Sequence, residues 1–248
     1  MNINNIKQRL YEPDQFDNDV FFRQLIYEAI GPQSCVLDAG AGAGELFQYE
    51  LKDKVKEVVG VDLDHRVVSN PQLHRGIYAN LTSIPVEDNY FDLVFCRYVL
   101  EHIAKPQEFL HEMHRILKPG GCFLFLTPNM WHYVSIASSL TPKWFHNWYN
   151  RLRGLQDEDT FPTVYHLNTK SCICHQFRLA GFEEHKLIFR ECCPNYLTFS
   201  TLLFLLGIAY ERLVNCSDLL AAFRVNVLGY FYKPTKNKVA DIIDTPKS

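Results

Sequence analysis

Residues 36–44 constrain the fold of this chain more than any other segment. They read VLDAGAGAG, an apolar run that ends in an acid and is followed by three alternating glycines. Such a run predicts a buried β-strand that breaks into a tight turn, because glycine adopts positive φ and lets a ligand approach the backbone closely. We therefore expect a nucleotide-binding turn here, between a strand and a helix that begins near Glu45.

The spacing of the glycines distinguishes between classes of nucleotide. A dinucleotide fingerprint needs a glycine or alanine three residues after its second glycine. After Gly40 and Gly42 that position is Glu45, whose carboxylate would lie where a pyrophosphate should meet the helix N-terminus. The turn therefore disfavours a ligand that is held by its phosphates.

A second apolar run, Val58–Asp62, also ends in an acid. Asp62 stands 22 residues after Gly40, close to the spacing of a carboxylate that accepts hydrogen bonds from both ribose hydroxyls. Two carboxylate oxygens suit two adjacent hydroxyl groups. The pattern predicts a ligand that carries a ribose.

These segments resemble the class I S-adenosylmethionine (SAM) dependent methyltransferases, and among them the ubiquinone/menaquinone-biosynthesis-like, type 11 group. The DAGAGAG segment is similar to motif I of the family, and RYVLEH (97–102) and RILKPGG (115–121) resemble the segments that follow strand four and precede strand five. The resemblance covers residues 30–130 well and 166–190 loosely.

The resemblance implies SAM as the cofactor and names the residues that would hold it. Asn80 stands where the family commonly has an aspartate that receives the adenine amino group, and it keeps a carbonyl acceptor. The implied cofactor residues are Asp38, Gly40, Gly42, Gly44, Asp62, Leu63, Asn80, Leu81 and Arg97.

Helix and strand patterns alternate along the chain, as is typical of an α/β fold with a doubly wound, mostly parallel sheet. Strands are predicted over 34–39, 58–62, 77–80, 93–97, 122–127, 187–190 and 225–232. Helices are predicted from Asp17 or Asn18 through Ile30, over 106–117, and from a Thr169 cap to Gly181. The seven-stranded Rossmann-like order, with an antiparallel last strand, is implied by the resemblance. We expect a single domain over 1–248, with polar termini at 1–19 and 234–248 that fray.

Two helical insertions, 129–168 after strand five and 191–224 after strand six, are longer than ordinary connections. Both leave the carboxyl ends of strands, where ligands bind in open α/β sheets, so we expect them to roof the active site. The aromatic residues of the first, such as Trp131 and Trp144, predict a mostly apolar acceptor pocket. Packing of the insertions on each other, or a homodimer surface, explains them equally well. The apolar run Tyr196–Tyr210 is too short to span a bilayer, so a core or pocket helix is expected and membrane contact is disfavoured.

Three histidines are candidate bases for removing a proton from a methyl acceptor. His166 and His132 stand at the predicted mouth of the site, and His102 follows strand four on the cofactor side. A structural role is the alternative for each. Metal assistance is disfavoured because no acidic cluster follows strand four, where RYVL also replaces the N-P-P-Y signature of nucleobase methyltransferases.

Composition narrows the partners and the compartment. A formal net charge of −3 gives no electrostatic footprint for nucleic acid. The eight cysteines form no C-x-x-C pair, which favours reduced thiols over a metal or disulfide framework, and the first residues lack the pattern of a secretory signal. A cytoplasmic protein is expected.

Together these observations predict methyl transfer from SAM to an oxygen or nitrogen of a small, substantially apolar metabolite. A quinone or lipid-like acceptor at a membrane surface is one alternative. A non-catalytic binding subunit with the same fold is another.

Overall fold

A seven-stranded sheet forms the centre of the computed structural model, which describes residues 2–11, 17–44, 49–141 and 162–235. The strands are β1 (Cys35–Ala39), β2 (Glu57–Asp62), β3 (Arg75–Tyr78), β4 (Phe91–Arg97), β5 (Leu117–Pro128), β6 (Glu183–Arg190) and β7 (Asn226–Tyr232). Their order is β3-β2-β1-β4-β5-β7-β6. The pairs from β3 to β5 are parallel, whereas β7 runs antiparallel to both β5 and β6. The predicted sheet is confirmed.

Helices cover both faces of the sheet, as in a doubly wound fold. The helices are α1 (Ile3–Leu10), α2 (Asn18–Ala29), α3 (Pro106–Ile116), α4 (Tyr133–Leu140), α5 (Lys170–Leu179) and α6 (Thr201–Asn215). Val36 of β1 packs with Phe22 and Ile26 of α2 in one apolar cluster. Its neighbour Leu37 points to the other face, where α3 and α5 form a second cluster, as alternation along a strand requires.

Capping residues define the predicted starts of two helices. The Asp17 carboxylate accepts hydrogen bonds from the amides of Asp19 and Val20 at 2.8 and 3.3 Å, and the Thr169 hydroxyl accepts one from Cys172 at 3.3 Å. Both helices begin where the sequence predicts, because such side chains satisfy amides that have no partner within the helix.

The N-terminal segment differs from its prediction. Residues 1–19 were expected to fray, but α1 forms over Ile3–Leu10, capped by the Asn2 side chain. Ile6 is 3% exposed and packs in one cluster with Cys193 and Phe204. The expectation was wrong for α1, because a polar helix becomes ordered when a single apolar side chain docks on a distant part of the chain. The other predicted frayed end, from 236 onward, and the helix predicted near Glu45 lie outside the described residues.

The two insertions meet each other at the carboxyl edge of the sheet. β5 ends at Pro128 and β6 at Arg190, and both pair with Asn226 at the start of β7. The first insertion contains α4; residues 142–161, which include Trp144, lie outside the described part of the chain. The second contains α6, whose Tyr210 ring lies edge-on to Tyr133 of α4, with centroids 5.0 Å apart. Within the described ranges, no helix has the length and apolar composition needed to cross a membrane.

We predict that Gly76→Ala in β3 destabilises the fold. A Cβ at this position would overlap the backbone carbonyl of Val67 in the short helix that follows β2, and backbone cannot rotate away as a side chain can. The expected loss in free energy of unfolding is about 1–3 kcal/mol, measurable by urea denaturation. The control is Gly31→Ala, whose Cβ would meet no atom within 4 Å; equal losses in both variants would contradict the close approach.

Candidate cofactor and acceptor site

The glycine loop after β1 adopts backbone angles that glycine tolerates best. Gly40, Gly42 and Gly44 have φ of +87°, +52° and +78°, and the Gly40 amide donates to the Val61 carbonyl at 2.8 Å. A Cβ at Gly40 would overlap the side chain of Val99, whereas one at Gly42 would meet no atom within 4 Å. The loop therefore packs closely against the segment after β4 at Gly40, whereas the space that a side chain at Gly42 would occupy is empty of protein atoms.

Asp62, at the end of β2, holds this loop in place. One carboxylate oxygen accepts from the Gly42 amide and the other from the Asp64 amide, both at 2.8 Å. The residue is partly exposed, and a carboxylate can accept about four hydrogen bonds. Asp62 can therefore orient the loop and still receive two hydroxyl groups.

Asn70 is a site residue that the sequence analysis missed. Its side-chain amide donates to the carbonyls of Ala41 and Gly42 at 3.2 and 3.1 Å, and a Cβ at Gly44 would overlap it. Asn70 precedes Pro71, which gives an ordinary turn signal and no indication of a contact 28 residues away.

Asp38 lies at the end of β1 in an unusual electrostatic environment. Burial raises the pKa of its carboxyl to about 7, and the negative charge of Asp62 adds to the increase while Arg97 opposes it. A carboxyl with a raised pKa is stabilised as a carboxylate by a nearby cation. The site is therefore suited to a ligand with a positive charge on this side.

Arg97, predicted to bind the cofactor, forms an ion pair with Asp19 in the first turn of α2. Its Nε and Nη2 donate to the two carboxylate oxygens at 2.6 and 2.8 Å. Burial lowers the pKa of Arg97, but its hydrogen bonds to Asp19 outweigh burial and raise it above the ordinary value. The pair fixes the N-terminus of α2 beside Asp38, a contact that local sequence does not signal.

The predicted adenine-side residues lie on the loops after β2 and β3. Leu63 is 50% exposed, and Leu81 is buried. The Asn80 carbonyl already accepts from the Thr82 amide and hydroxyl, both at 3.0 Å. The predicted contact of Asn80 with an adenine amino group stays a prediction, and it would compete with this local turn.

A cavity of about 530 Å³ opens at the carboxyl edge of the sheet, next to Asp19 and Tyr98. Its lining residues come from five places, namely α1, the start of α2, the residue after β4, the segment after β6 and the start of β7: Lys7, Gln8, Tyr11, Asp17, Asn18, Asp19, Tyr98, Cys192, Cys193, Asn195, Tyr196, Val225 and Asn226. The sequence analysis placed the pocket under the insertions but missed the contribution of α1.

Tyr98 lines the cavity, and the next residue, Val99, packs against the glycine loop at Gly40. The φ of Tyr98, +54°, lies in the left-handed region, which is strained for a bulky residue and clusters at functional sites. Its hydroxyl accepts from the Asn226 side chain at 3.0 Å. On the same wall, the side-chain oxygen of Asn18 accepts from Arg190 at 3.0 Å. The buried Asn18 Nδ2 has no hydrogen-bond partner among the described residues.

The three candidate histidines are separate from the cavity lining. His166 is exposed, with Nδ1 3.3 Å from the Ala104 carbonyl, and His102 is partly buried, with Nδ1 3.2 Å from the Pro162 carbonyl. These contacts place the end of the first insertion beside the segment after β4. The predicted role of His166 and His102 as bases stays a prediction.

His132 is buried at the start of α4. Its Nδ1 accepts from the Val134 amide at 3.3 Å, and its Nε2 faces Glu191 Oε2 at 3.5 Å. Burial lowers the pKa of His132 to about 3 and raises that of Glu191 to about 8. This geometry favours a helix-capping role for His132. Across the described residues, no group of three or more His, Cys, Asp or Glu side chains is placed to hold a metal ion.

A buried polar chain joins the return of the first insertion to β5. Thr127 donates to Glu101 at 3.0 Å and accepts from Asn168 at 2.7 Å. Burial raises the pKa of Glu101 to about 7. These three residues support the edge of the site, and sequence reasoning did not single them out.

Comparisons with known proteins agree with this geometry. Residues 37–125 match the type 11 family model described as a methyltransferase domain. A malonyl-[acyl-carrier protein] O-methyltransferase of Coxiella burnetii is 34% identical over 94 residues, which are 38% of this chain and 33% of that protein. A ubiquinone biosynthesis O-methyltransferase of Pseudomonas syringae is 28% identical over 54% of this chain and 70% of that protein.

A solved structure shows the same fold. The geranyl diphosphate C-methyltransferase of Streptomyces coelicolor, a complex with S-adenosyl-L-homocysteine, aligns with a TM-score of 0.55 and 14% identity over 85% of this chain and 78% of that one. The fold is therefore that of the Rossmann-like methyltransferases. The match over residues 37–125 confirms the resemblance to the type 11 class I methyltransferases. The chain spans only part of the length of the curated relatives it matches.

The residues at the glycine loop fit SAM on structural grounds. A side chain at Gly42 would fill open space, Asp62 keeps acceptor capacity for two ribose hydroxyls, and the raised pKa of Asp38 suits a cationic ligand. SAM carries a ribose, a sulfonium and an ammonium, and no phosphate. The glycine loop therefore agrees with SAM in three features, which are the ribose, the positive charge and the absence of phosphate.

We expect Asp62→Ala to weaken SAM binding by roughly tenfold or more, because two hydrogen bonds to a charged acceptor are lost. Isothermal titration calorimetry on folded protein measures the change. Asp88→Ala is the control, since this exposed carboxylate pairs with Arg115, away from the loop. A variant that binds SAM within twofold of the wild type would show that Asp62 does not receive the ribose.

We also expect SAM affinity to rise with pH through about 7. Below the raised pKa of Asp38 the carboxyl is protonated, so binding a cation must release that proton. The dissociation constant should fall about tenfold between about pH 6 and about pH 8. Asp38→Asn should remove this change. An equal pH dependence in the variant would assign the titration to another group.

Proposed function

We propose that the protein transfers a methyl group from SAM to an oxygen or nitrogen of a small molecule. The arrangement that carries this proposal is the glycine loop fixed by Asp62, with Gly42 open above it and Asp38 beside it. The family match over residues 37–125 supports the same activity. The other features concern how the acceptor is bound.

The cofactor supplies a methyl group that its sulfonium has already activated for displacement. The task of the protein is then orientation and exclusion of water. Asp62 would receive the ribose hydroxyls, and Asp38 would face the positive charge. The Arg97–Asp19 pair attaches the start of α2 to the end of β4, and Leu81 anchors the loop after β3 in the core.

The acceptor would occupy the cavity next to Tyr98. Its walls combine tyrosine rings and Val225 with amide and carboxylate groups, so an acceptor with an apolar body and at least one polar group is favoured. This lining is more polar than the substantially apolar pocket that the sequence predicts. Transfer requires the acceptor atom to lie in line with the bond that breaks, and Tyr98 stands at the boundary that both molecules share.

The titratable groups of the cavity are the first candidates for removing a proton from the acceptor. Asp17 lines the cavity, and its two helix-capping contacts are both made by one carboxylate oxygen, Oδ1. The three histidines predicted from the sequence would need the acceptor to extend beyond the cavity lining. An amine that arrives neutral would require no base.

A quinone or lipid-like acceptor at a membrane surface is a second candidate. One observation favours it: a relative is named a ubiquinone biosynthesis O-methyltransferase. Such acceptors combine a polar ring with an apolar chain, and the cavity lining likewise contains both polar and apolar groups.

The proposal is tested by following S-adenosylhomocysteine formation with panels of phenols, carboxylic acids, amines and short-chain quinols. Turnover with one panel assigns the methylated atom and the substrate class together. Tight SAM binding with no turnover on any panel would favour a non-catalytic binding subunit. Absence of SAM binding would contradict the proposed function itself.

We predict that Tyr98→Phe lowers kcat/KM for the acceptor by roughly three- to tenfold, the value of one hydrogen bond between neutral groups. SAM affinity should stay within twofold. Trp131→Ala is the matched control, because this side chain is 55% exposed and is not among the cavity-lining residues. A larger effect of Trp131→Ala than of Tyr98→Phe would move the acceptor site to the first insertion.

A further inference from the structure

A buried hydrogen-bond donor in the cavity wall is left unsatisfied by the described part of the chain. Asn18, the first residue of α2, lines the cavity and is 5% exposed. Its side-chain oxygen accepts from Arg190 Nε at 3.0 Å, whereas its Nδ2 has no hydrogen-bond partner among the described residues. Buried polar groups are almost always hydrogen-bonded, so an unsatisfied donor beside a cavity is a position where a ligand can complete the pairing.

The contact with Arg190 makes the Asn18 amide a better donor than an ordinary neutral amide. Arg190 reaches Asn18 from the end of β6, and its guanidinium carbon lies 4.0 Å from the centre of the Phe21 ring, which packs against it. A hydrogen bond from a cation to the amide oxygen polarises the whole amide group, and the effect is stronger away from water. The polarised Nδ2 therefore favours an anionic oxygen over a neutral one.

Tyr98 contributes a second donor to the cavity. Its hydroxyl oxygen accepts from Asn226 Nδ2 at 3.0 Å, and Asn226 is itself 5% exposed. Since a hydroxyl group can accept and donate at the same time, this contact fixes the oxygen and leaves the proton for another acceptor. The less exposed part of the lining thus offers donors from α2 and from the segment after β4.

The charges of the lining also favour an anionic ligand. Both carboxylate oxygens of Asp19 accept from Arg97, at 2.6 and 2.8 Å. Asp17 is exposed, so water screens its charge. Lys7 Nζ donates to the neutral Asn195 side chain at 2.5 Å, and an ammonium has three N–H donors. A cationic ligand would find its partner only at the exposed Asp17, whereas an anionic oxygen finds donors deeper in the cavity and Lys7 beside them.

We propose that the cavity recognises its acceptor by a carboxylate, one oxygen of which accepts a hydrogen bond from Asn18 Nδ2. This inference rests on the proposed function, because it takes the cavity to be the acceptor site. A carboxylate can accept from several donors, and Tyr98 and Lys7 supply further ones. Phenols are still protonated at neutral pH, whereas a carboxylic acid is ionised there without a base. A phosphate would bring up to two negative charges to a lining in which Lys7 is the available cation.

Calorimetry with ligands that share one apolar body tests this proposal without turnover. The protein is saturated with S-adenosylhomocysteine, and the probes are phenylacetate, phenylacetamide and phenethylammonium. We expect phenylacetate to bind at least tenfold more tightly than the other two, because it alone forms a hydrogen bond with a charged acceptor. Equal affinity for the three probes, a preference for phenethylammonium, or no measurable binding of phenylacetate would overturn the proposal.

Asn18→Asp isolates the donor, because a carboxylate still accepts from Arg190 but cannot donate. Phenylacetate affinity should fall at least tenfold. The melting temperature should not fall, since an acid in the first turn of a helix is favourable. The matched control is Asn195→Asp, which adds the same charge at an exposed position of the same lining and keeps the acceptor for Lys7. It should lose no more than about threefold, and an equal loss in both variants would overturn the role of Asn18.

SAM binding separates this proposal from the proposed function. A remote control, Asn89→Asp, lies before the start of β4 and keeps its contact with Lys233; it should bind SAM and phenylacetate as the wild type does. SAM binding without a preference for phenylacetate would contradict only the recognition of a carboxylate. Absence of SAM binding would contradict the proposed function, while phenylacetate binding that Asn18→Asp weakens would still support a carboxylate site in the cavity.

Discussion

The hydrogen bond from the Gly42 amide to the Asp62 carboxylate is the contact on which the candidate site depends. It joins the loops that follow two adjacent parallel strands, so the ends of β1 and β2 form one surface. It also brings two carboxyl groups close together, since Asp62 contributes to the raised pKa of Asp38. Loop amides and Arg97 offset part of this repulsion. Burial is the larger cause of the raised pKa of Asp38, and a bound cation would stabilise the carboxylate form.

The cavity proposed for the acceptor is formed by contacts between segments that are distant in sequence. The Arg97–Asp19 ion pair and the contact of Asn18 with Arg190 attach the start of α2 to the ends of β4 and β6. Two segments distant in sequence thereby close one cavity. Orientation of the reacting groups, rather than a dedicated acid or base, is the contribution that this geometry supports most directly.

The sheet and the cofactor loop could be predicted because their signals are local. Apolar runs that end in Asp38 and Asp62 predict buried strands, and alternating glycines predict the turn. The role of α1 could not be predicted, because Ile6 is its only buried residue and its partner is some 200 positions away. Asn70, Asp19 and Tyr98 act through tertiary contacts, for which propensity and periodicity give no signal. The histidines stay predicted bases, and for His132 burial and the hydrogen bond from the Val134 amide favour a helix-capping role, which position in the sequence does not signal.

The contacts of helix α1 affect the order in which parts of the protein fold. Tyr11 donates to Glu211 at 3.2 Å, and Ile6 packs with Cys193 and Phe204, so these partners of α1 all lie after β6. During synthesis the strands that form the glycine loop are available long before α6 leaves the ribosome. A nascent chain can therefore assemble its nucleotide half while α1 still has no surface to dock on, because long-range contacts form last. The cavity is complete only when α1 has met the segment after β6.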